Sequence, residues 1–453
     1  MNKRTLNATG YRGIWGDSLN EEIVANYARA YARFTKEDTN KENPIIVIGR
    51  DGRETGPIIK DIVARELQNM GVQVIDGDIM PTPTFFFTAR KYNYDGAVII
   101  TASHNPIEYN GMKFLNKNVF FTIDEEVDKI NKLYEEEKIN PSQPVINKLN
   151  IIINKNFPHE HADQICANIN LELIKSKKFK VVSDMINASA CVLDPYLFEK
   201  MGVELIPVND VPNGKFNHKP EPLRENLLEI EELVKQSNVD VGFVHDPDAD
   251  RLVIVNEKGE IVSEECSIAL AIENIMSKNH DRNIVLNLST SARGEDIAKK
   301  YGGKCFRTKI GEGFVSEGII AHDAIIGGEG NGGIIYPKIN FCRDSFTGLA
   351  LILELMAERN KKISELLDEV PKYFIKKEKW PAGDNLNQIY SKLKLGFKDA
   401  DMDEQDGIRF DFSDSSWIHL RPSNTEPIIR LFGEAKTEER IEQLFKETHT
   451  LLA

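Results

Sequence analysis

The sequence predicts an α/β fold: three similar mixed α/β units followed by a smaller α+β domain. Three observations carry this reading. Apolar runs rich in Ile and Val alternate with amphipathic stretches from about Pro44 to Val370, as expected of parallel strands joined by covering helices. The alternation comes in three rounds, and each round ends at a polar or glycine-rich loop. After Val370 the pattern changes to closely spaced, antiparallel-like runs and a last helix.

The first round starts with a strand over 45–49, continues through a helix near 58–69 and a strand over 72–76, and ends with a strand over 97–100. The second uses strands over 179–183, 203–208 and 241–244, with helices over 188–201 and near 227–236. The third uses strands over 283–288, 305–307 and 324–326 with a helix over 292–301. The closing loops are 101–106, 246–251 and 327–333, and open α/β sheets bind ligands beyond the carboxyl ends of their strands. Runs over 372–380, 407–412, 417–420 and 428–432, then a helix over 437–452, form the smaller domain. Linkers fall at 135–150, where Pro141 and Pro144 stand, at the turn 256–260, and around Pro371. The expected domains are 1–148, 149–256, 257–370 and 371–453, since 453 residues exceed what one hydrophobic core serves.

The 71 acidic against 57 basic residues give a formal charge of −14, which argues against a nucleic-acid surface and does not favour anionic membranes. Met1 to Gly16 holds no apolar block of signal-peptide length, so a cytoplasmic protein without a membrane anchor is expected. The five cysteines are widely spaced and form no metal-ligand pattern. Cys191 and Cys266 fall in apolar-periodic segments and read as small buried hydrophobes.

Chemistry concentrates in the loops. Thr101-Ala102-Ser103-His104-Asn105-Pro106 follows an apolar strand and places the Ser103 hydroxyl, expected to be exposed, on a tight turn. Alone, such a turn is as much structural as nucleophilic, because serine needs help to carry phosphate. Asp246-Pro247-Asp248-Ala249-Asp250-Arg251 supplies that help: three hard carboxylates at alternate positions suit magnesium, and without a cation they repel one another. Arg421-Pro422-Ser423-Asn424-Thr425-Glu426-Pro427, with Arg430 beyond it, combines guanidinium, hydroxyl and amide groups in an anion cradle. Gly328-Glu329-Gly330-Asn331-Gly332-Gly333 permits close backbone approach, with Glu329 placed to accept hydrogen bonds from sugar hydroxyls. Arg12, Lys113 and Arg251 add cations near loop or strand ends. Gly49-Arg50-Asp51-Gly52-Arg53 is equally a helix N-terminal anion site or a structural turn.

Together, and in this order, the serine loop, the Asp trio, the glycine-rich loop and the Arg421 segment resemble the α-D-phosphohexomutase superfamily, with Gly10-Tyr11-Arg12-Gly13 as a further match. The resemblance spans almost the whole chain. It implies a four-domain heart-shaped architecture and interconversion of hexose 6-phosphate and 1-phosphate. Ser103 would carry the phosphate as phosphoserine, and a sugar bisphosphate would serve as intermediate and activator. Magnesium would sit on Asp246, Asp248, Asp250 and Ser103. Lys113, Arg12, His104 and Arg251 would serve catalysis. Arg421, Ser423, Asn424, Thr425 and Arg430 would hold the unreactive phosphate.

The sugar loop departs from the family's Gly-Glu-x-Ser-Gly-His pattern, because Asn331 and Gly333 replace the Ser and His. Glu312 stands where many members place a His, and phosphoglucosamine mutases carry an acid at the similar position. A carboxylate facing the sugar would pair with the ammonium of glucosamine. Glu312, Glu329, Asn331 and Gly333 are therefore the expected sugar contacts. The resemblance favours glucosamine 6-phosphate, with mannose or glucose phosphates as the alternative. Two remoter readings are an aspartyl-phosphate phosphatase acting through Asp246 and a non-catalytic sugar-phosphate binder. The partner is a small sugar phosphate, and the chain is expected to be a monomer or homodimer.

Overall fold

The computed structural model describes residues 6–7, 10–145, 150–381, 386–422 and 428–452. It forms two compact units, Met1–Ser263 with Gly333–Ser364, and Glu264–Gly332 with Glu365–Ala453. The fold class is α/β, as the alternation of apolar runs predicts.

In the first unit, one sheet runs in the order Tyr11–Ile14, Tyr109–Leu115, Gly96–Ile100, Ile45–Arg50, Gln73–Ile79 and Ile152–Ile153. A second runs Ile261–Val262, Leu252–Asn256, Val241–His245, Lys180–Asp184 and Glu204–Val208. Gly96–Ile100 pairs parallel with Ile45–Arg50, and Val241–His245 pairs parallel with Lys180–Asp184. All side chains of Gly96–Ile100 and Val241–His245 are buried, which matches their unbroken apolar sequences.

Neither sheet is purely parallel, contrary to the expectation from the alternation. Tyr109–Leu115 returns antiparallel beside Gly96–Ile100, and Leu252–Asn256 does the same beside Val241–His245. Short loops after the central strands cannot hold a crossover helix, so only an antiparallel return is open to them. The serine loop and the Asp trio therefore occupy the same place in two similar sheets, at the turn between a buried strand and its antiparallel partner.

In the second unit, Cys305–Thr308, Asn283–Asn287 and Ala324–Glu329 pair in parallel, in that order. The other sheet is antiparallel, ordered Phe374–Pro381, Ile428–Ala435, Trp417–Pro422, Ile408–Asp411 and Asp401–Asp403. Its core of Ile408, Phe410, Leu420, Leu431, Leu444 and Phe445 lies between the sheet and the helix Glu438–Leu452.

Several local expectations change. The stretch 188–201 is a 3-10 turn, Ser189–Val192, followed by a helix, Asp194–Met201, because Pro195 lacks an amide hydrogen and is accommodated in the helix's first turn. The linker expected from Glu135 is helical as far as Ile139. Residues 256–260 are a hairpin turn in which Asn256 N donates to Glu260 O, 2.9 Å away, and not a linker. The strand Tyr11–Ile14 and the helices Glu21–Thr39 and Leu386–Gly396 add to the elements read from the sequence. Cys191 and Cys266 are half-buried, and burial pushes both thiols up, Cys191 to about 12.

Candidate active site

Strand pairing gathers the first cluster. Tyr11–Ile14 runs antiparallel to Tyr109–Leu115 with Arg12 opposite Gly111, and Lys113 pairs with Ile99 next to the end of the serine strand. Ser103 is only 2% exposed, so the exposed hydroxyl expected from the sequence is in fact tucked under its loop. Its backbone sits at φ 49°, a left-handed conformation that costs a non-glycine residue energy and must be held by its surroundings.

Arg53 supplies that hold. Buried at 1% exposure, it donates to the carbonyls of Ser103 (2.6 Å), Asn105 (2.7 Å), Pro106 (2.8 Å) and Tyr109 (2.8 Å). Asp51 orients the guanidinium through Nε, 3.1 Å away, and accepts from the hydroxyl of Thr101 at 2.7 Å. The Gly49 to Arg53 segment is thus the structural turn of the two sequence readings, and it works as a clamp on the serine loop.

The Ser103 hydroxyl lies 3.4 Å from Asp246 Oδ2 and 3.2 Å from His104 Nδ1. Burial lowers the His104 imidazole to about 2, with the positive charges of Arg251 and Arg12 acting in the same direction, so the ring is neutral. Arg12 donates to Asn105 Oδ1 at 2.7 Å. Its Nε is buried without a hydrogen-bond partner among the described residues.

Asp246, Asp248 and Asp250 are buried, and one carboxylate oxygen from each lies within 4.8 Å of the others. Asp246 Oδ1 accepts the amides of Asp250 (3.0 Å) and Arg251 (3.2 Å), which folds the loop around that carboxylate. Burial and the neighbouring charges of Asp250 and Asp248 push Asp246 well above the usual carboxylate range. Asp248 goes the other way. Burial would raise it, but the Lys113 ammonium at 2.8 Å and the Thr82 hydroxyl at 2.8 Å hold it well below that range. Asp248 Oδ1 and Asp250 Oδ1 are buried with no hydrogen-bond partner among the described residues. Two orphaned oxygens beside a third acid fit a hard divalent cation.

Arg251 Nε lies 3.8 Å from Asp250 Oδ1. Arg343 is ion-paired to the other oxygen of Asp250. This second cation on Asp250 has no signal in the sequence, because nothing in Cys342-Arg343-Asp344 suggests it without the fold. Gly333, expected to touch sugar, opens the buried strand Gly333–Ile335.

The second unit holds the other cluster. Glu329, 4% exposed, accepts from Asn287 Nδ2 at 2.9 Å and from the amide of Gly311 at 3.1 Å, with Asn331 Nδ2 at 3.4 Å from its other oxygen. Glu312 is the buried first residue of the helix Glu312–Ala321. Arg421, at the end of Trp417–Pro422, faces Arg430 across the strand pair, and its Nε donates to Asp406 at 3.1 Å. Ser423, Asn424 and Thr425 lie outside the described residues.

Comparison with known proteins settles the lineage. Four family models match in sequence order: phosphoglucomutase/phosphomannomutase alpha/beta/alpha domain I over residues 3–141, domain II over 159–259, domain III over 264–374, and the C-terminal domain over 358–450. The chain belongs to the phosphoglucomutase/phosphomannomutase family. A phosphoglucomutase/phosphomannomutase of Thermococcus kodakarensis is 35% identical to this family member over 437 residues, covering 95% of this chain and 94% of the relative. A phosphoglucosamine mutase of Methanococcus vannielii is 36% identical over 403 residues, covering 86% and 88%. The crystal structure of a phosphoglucomutase/phosphomannomutase family protein from Burkholderia thailandensis superposes with a TM-score of 0.86 at 25% identity, covering 100% of this chain and 97% of that one.

Proposed function

We propose that the chain is a phosphohexomutase that interconverts hexose 6-phosphate and 1-phosphate through phosphorylated Ser103 and a bisphosphorylated sugar. The observation that carries this reading is the Ser103 hydroxyl 3.4 Å from Asp246, inside a trio that keeps two orphaned carboxylate oxygens. Family membership and mutase relatives support it.

Ser103 hands its phosphoryl group to a sugar hydroxyl, and after the bisphosphate turns round it takes back the other phosphate. Lys113, paired with Asp248, stabilises charge on the transferring group, as does Arg12. Neutral His104 orients the serine oxygen. Asp246, Asp248 and Asp250, with Ser103, would hold magnesium, which neutralises phosphate charge. Arg421 and Arg430, with Ser423, Asn424 and Thr425, bind the phosphate that is not reacting, and Glu329, Asn331, Glu312 and Gly333 serve the sugar. Domains over 1–148, 149–256, 257–370 and 371–453 divide these roles.

Glucosamine 6-phosphate is the preferred substrate of this reading, supported by the carboxylate at Glu312 and by phosphoglucosamine mutases among the relatives. Mannose and glucose phosphates are the alternative, supported by the Thermococcus relative. The aspartyl-phosphate reading is disfavoured, because Asp250 stands where such phosphatases usually have Thr or Val and joins Asp246 and Asp248 in one ligand trio.

Turnover of a panel of hexose and hexosamine phosphates, with magnesium and a trace of sugar bisphosphate, tests reaction class and sugar choice together. Acid-stable phosphate found on Ser103 by peptide mass spectrometry supports the mechanism. A labile acyl phosphate on Asp246 overturns it.

A further inference from the structure

The second unit contains a closed ring of hydrogen bonds that joins the sugar side of the site to the phosphate side. It starts at Asp406, in the turn between Asp401–Asp403 and Ile408–Asp411. Asp406 Oδ2 accepts the amide of Ile310 at 3.0 Å, and the next amide, Gly311, donates to Glu329 at 3.1 Å. Glu329 accepts from Asn287, whose own Oδ1 accepts the amide of Ser289 at 3.0 Å. The Ser289 hydroxyl meets His419 Nδ1 at 2.9 Å, and His419 Nε2 meets the carbonyl of Asp406 at 2.6 Å, closing the ring. A carbonyl only accepts, so Nε2 carries the proton and Nδ1 accepts from Ser289. Arg421 hangs on this ring through Nε, 3.1 Å from Asp406 Oδ1.

Asp406 therefore holds two things with one carboxylate: Oδ2 takes the Ile310 amide of the backbone that supports Glu329, and Arg421 Nε, from the arginine assigned to the unreactive phosphate, lies 3.1 Å from both Oδ1 and Oδ2. The packing beneath is tight: a Cβ on Gly407, which sits at φ +74°, would come within 2.4 Å of the Leu420 carbonyl and 2.7 Å of Arg421 Cβ. The turn is pressed against the Arg421 backbone, so the carboxylate has little room to move.

We infer that Asp406 is a positioning residue that fixes the span between the sugar-hydroxyl acceptor Glu329 and the phosphate-binding Arg421, and so governs sugar-phosphate binding without touching the reacting phosphate. The inference rests on the phosphate role proposed for Arg421. Losing a charge-assisted hydrogen bond corresponds to about a 10- to 100-fold effect.

The test uses the full chain with glucosamine 6-phosphate, or whichever hexose phosphate turns over best, and inorganic phosphate as a competing inhibitor. D406A is expected to raise KM and the phosphate inhibition constant about 10- to 100-fold while kcat changes less than about threefold. D406N keeps an acceptor but loses the charge, and is expected to fall between wild type and D406A. D406A/R421A is expected to be no worse than R421A, since Asp406 acts through the arginine. An unchanged KM in both Asp406 variants overturns the inference. So does a joint fall of kcat and thermal stability in D406N, which would mark a merely structural role. If R421A itself leaves KM and phosphate inhibition unchanged, the phosphate assignment fails and the inference falls with it.

Discussion

Replacing Lys113 by Met leaves Asp248 buried, facing two other acids and without the cation that chiefly holds it ionised. The ammonium is 2.8 Å from Asp248 Oδ2, and the two side chains are 5% and 1% exposed. Removing one partner of such a pair costs about 3–5 kcal/mol, since the remaining charge is uncompensated. The Thr82 hydroxyl still donates to Asp248, which places the expected loss nearer the lower bound, at roughly 3 kcal/mol. A chain of 453 residues with two compact units falls outside the two-state approximation, so a global midpoint is a poor measure. Hydrogen exchange through a urea series, followed on peptides covering Tyr109–Leu115 and Val241–His245, reads the loss where it occurs. Two further variants fix the cause. Asp248→Asn with Lys113→Met is expected to recover most of the loss, giving a coupling energy of about 2–3 kcal/mol. Magnesium is expected to stabilise Lys113→Met more than wild type, because the cation takes over the charge that the lysine supplied. A loss below about 1 kcal/mol, or additivity in the double variant, refutes a buried ion pair at this point.

Glu265 is fully buried, and burial pushes its carboxyl up to about 8. Its contribution to stability is complete below the unfolded pKa of about 4.5 and is lost as pH rises towards 8. Glu265→Gln is therefore expected to flatten the fall in stability of the second unit over that window, by a few kcal/mol in order of magnitude, and parallel urea curves for the two proteins at pH 5 and 8 would refute it. Arg53→Lys cannot reach the four carbonyls that the guanidinium holds. It should accelerate hydrogen exchange across residues 101–108 and lower kcat by at least about 100-fold, and unchanged exchange there refutes the clamp. Gly330→Ala places a Cβ 2.1 Å from a Glu265 oxygen, so the variant should lose local stability and be partly rescued by Glu265→Ala; additive losses in hydrogen exchange of peptides covering Ala324–Glu329 would refute the clash.

Most of the fold could be read from the sequence because buried strands such as Gly96–Ile100 and Val241–His245 are unbroken apolar runs, and the chemistry follows directly after them. The direction of the next strand could not be read. Tyr109–Leu115 carries Asn110, Gly111 and Lys113, and its polar residues conceal a segment that is almost wholly buried. The Asp trio stands out because three acids alternate over five positions and the strand before them shows that they are not a solvated turn. Arg53 and Asp406 had no such signal. Each acts through carbonyls or amides distant in sequence, 50 positions from Ser103 in one case and 96 from Ile310 in the other, so only tertiary structure reveals what it holds. The same applies to the burial of Ser103: a polar loop residue reads as exposed until the arginine beneath it is known.

The two chemical loops of the first unit solve opposite problems with related geometry. Each follows a fully buried strand, precedes an antiparallel return and contains a left-handed residue, Ser103 at φ 49° and Ala249 at φ 54°. In the serine loop the strain is held by a cation from below, with Arg53 gathering the carbonyls of Ser103, Asn105, Pro106 and Tyr109. In the aspartate loop the hold comes from an anion, with Asp246 Oδ1 gathering the amides of Asp250 and Arg251. That choice has a consequence for charge. Committing Asp246 Oδ1 to the backbone, and Asp248 Oδ2 to Lys113 and Thr82, leaves Asp248 Oδ1 and Asp250 Oδ1 as buried oxygens of the trio without a hydrogen-bond donor among the described residues. The loop is rigid because its carboxylates are partly used, and its capacity for a cation lies in the oxygens that are not. Substitutions that loosen the loop and substitutions that remove a ligand should therefore separate: the first broaden the exchange of 246–251 with or without metal, while the second alter only the response to metal.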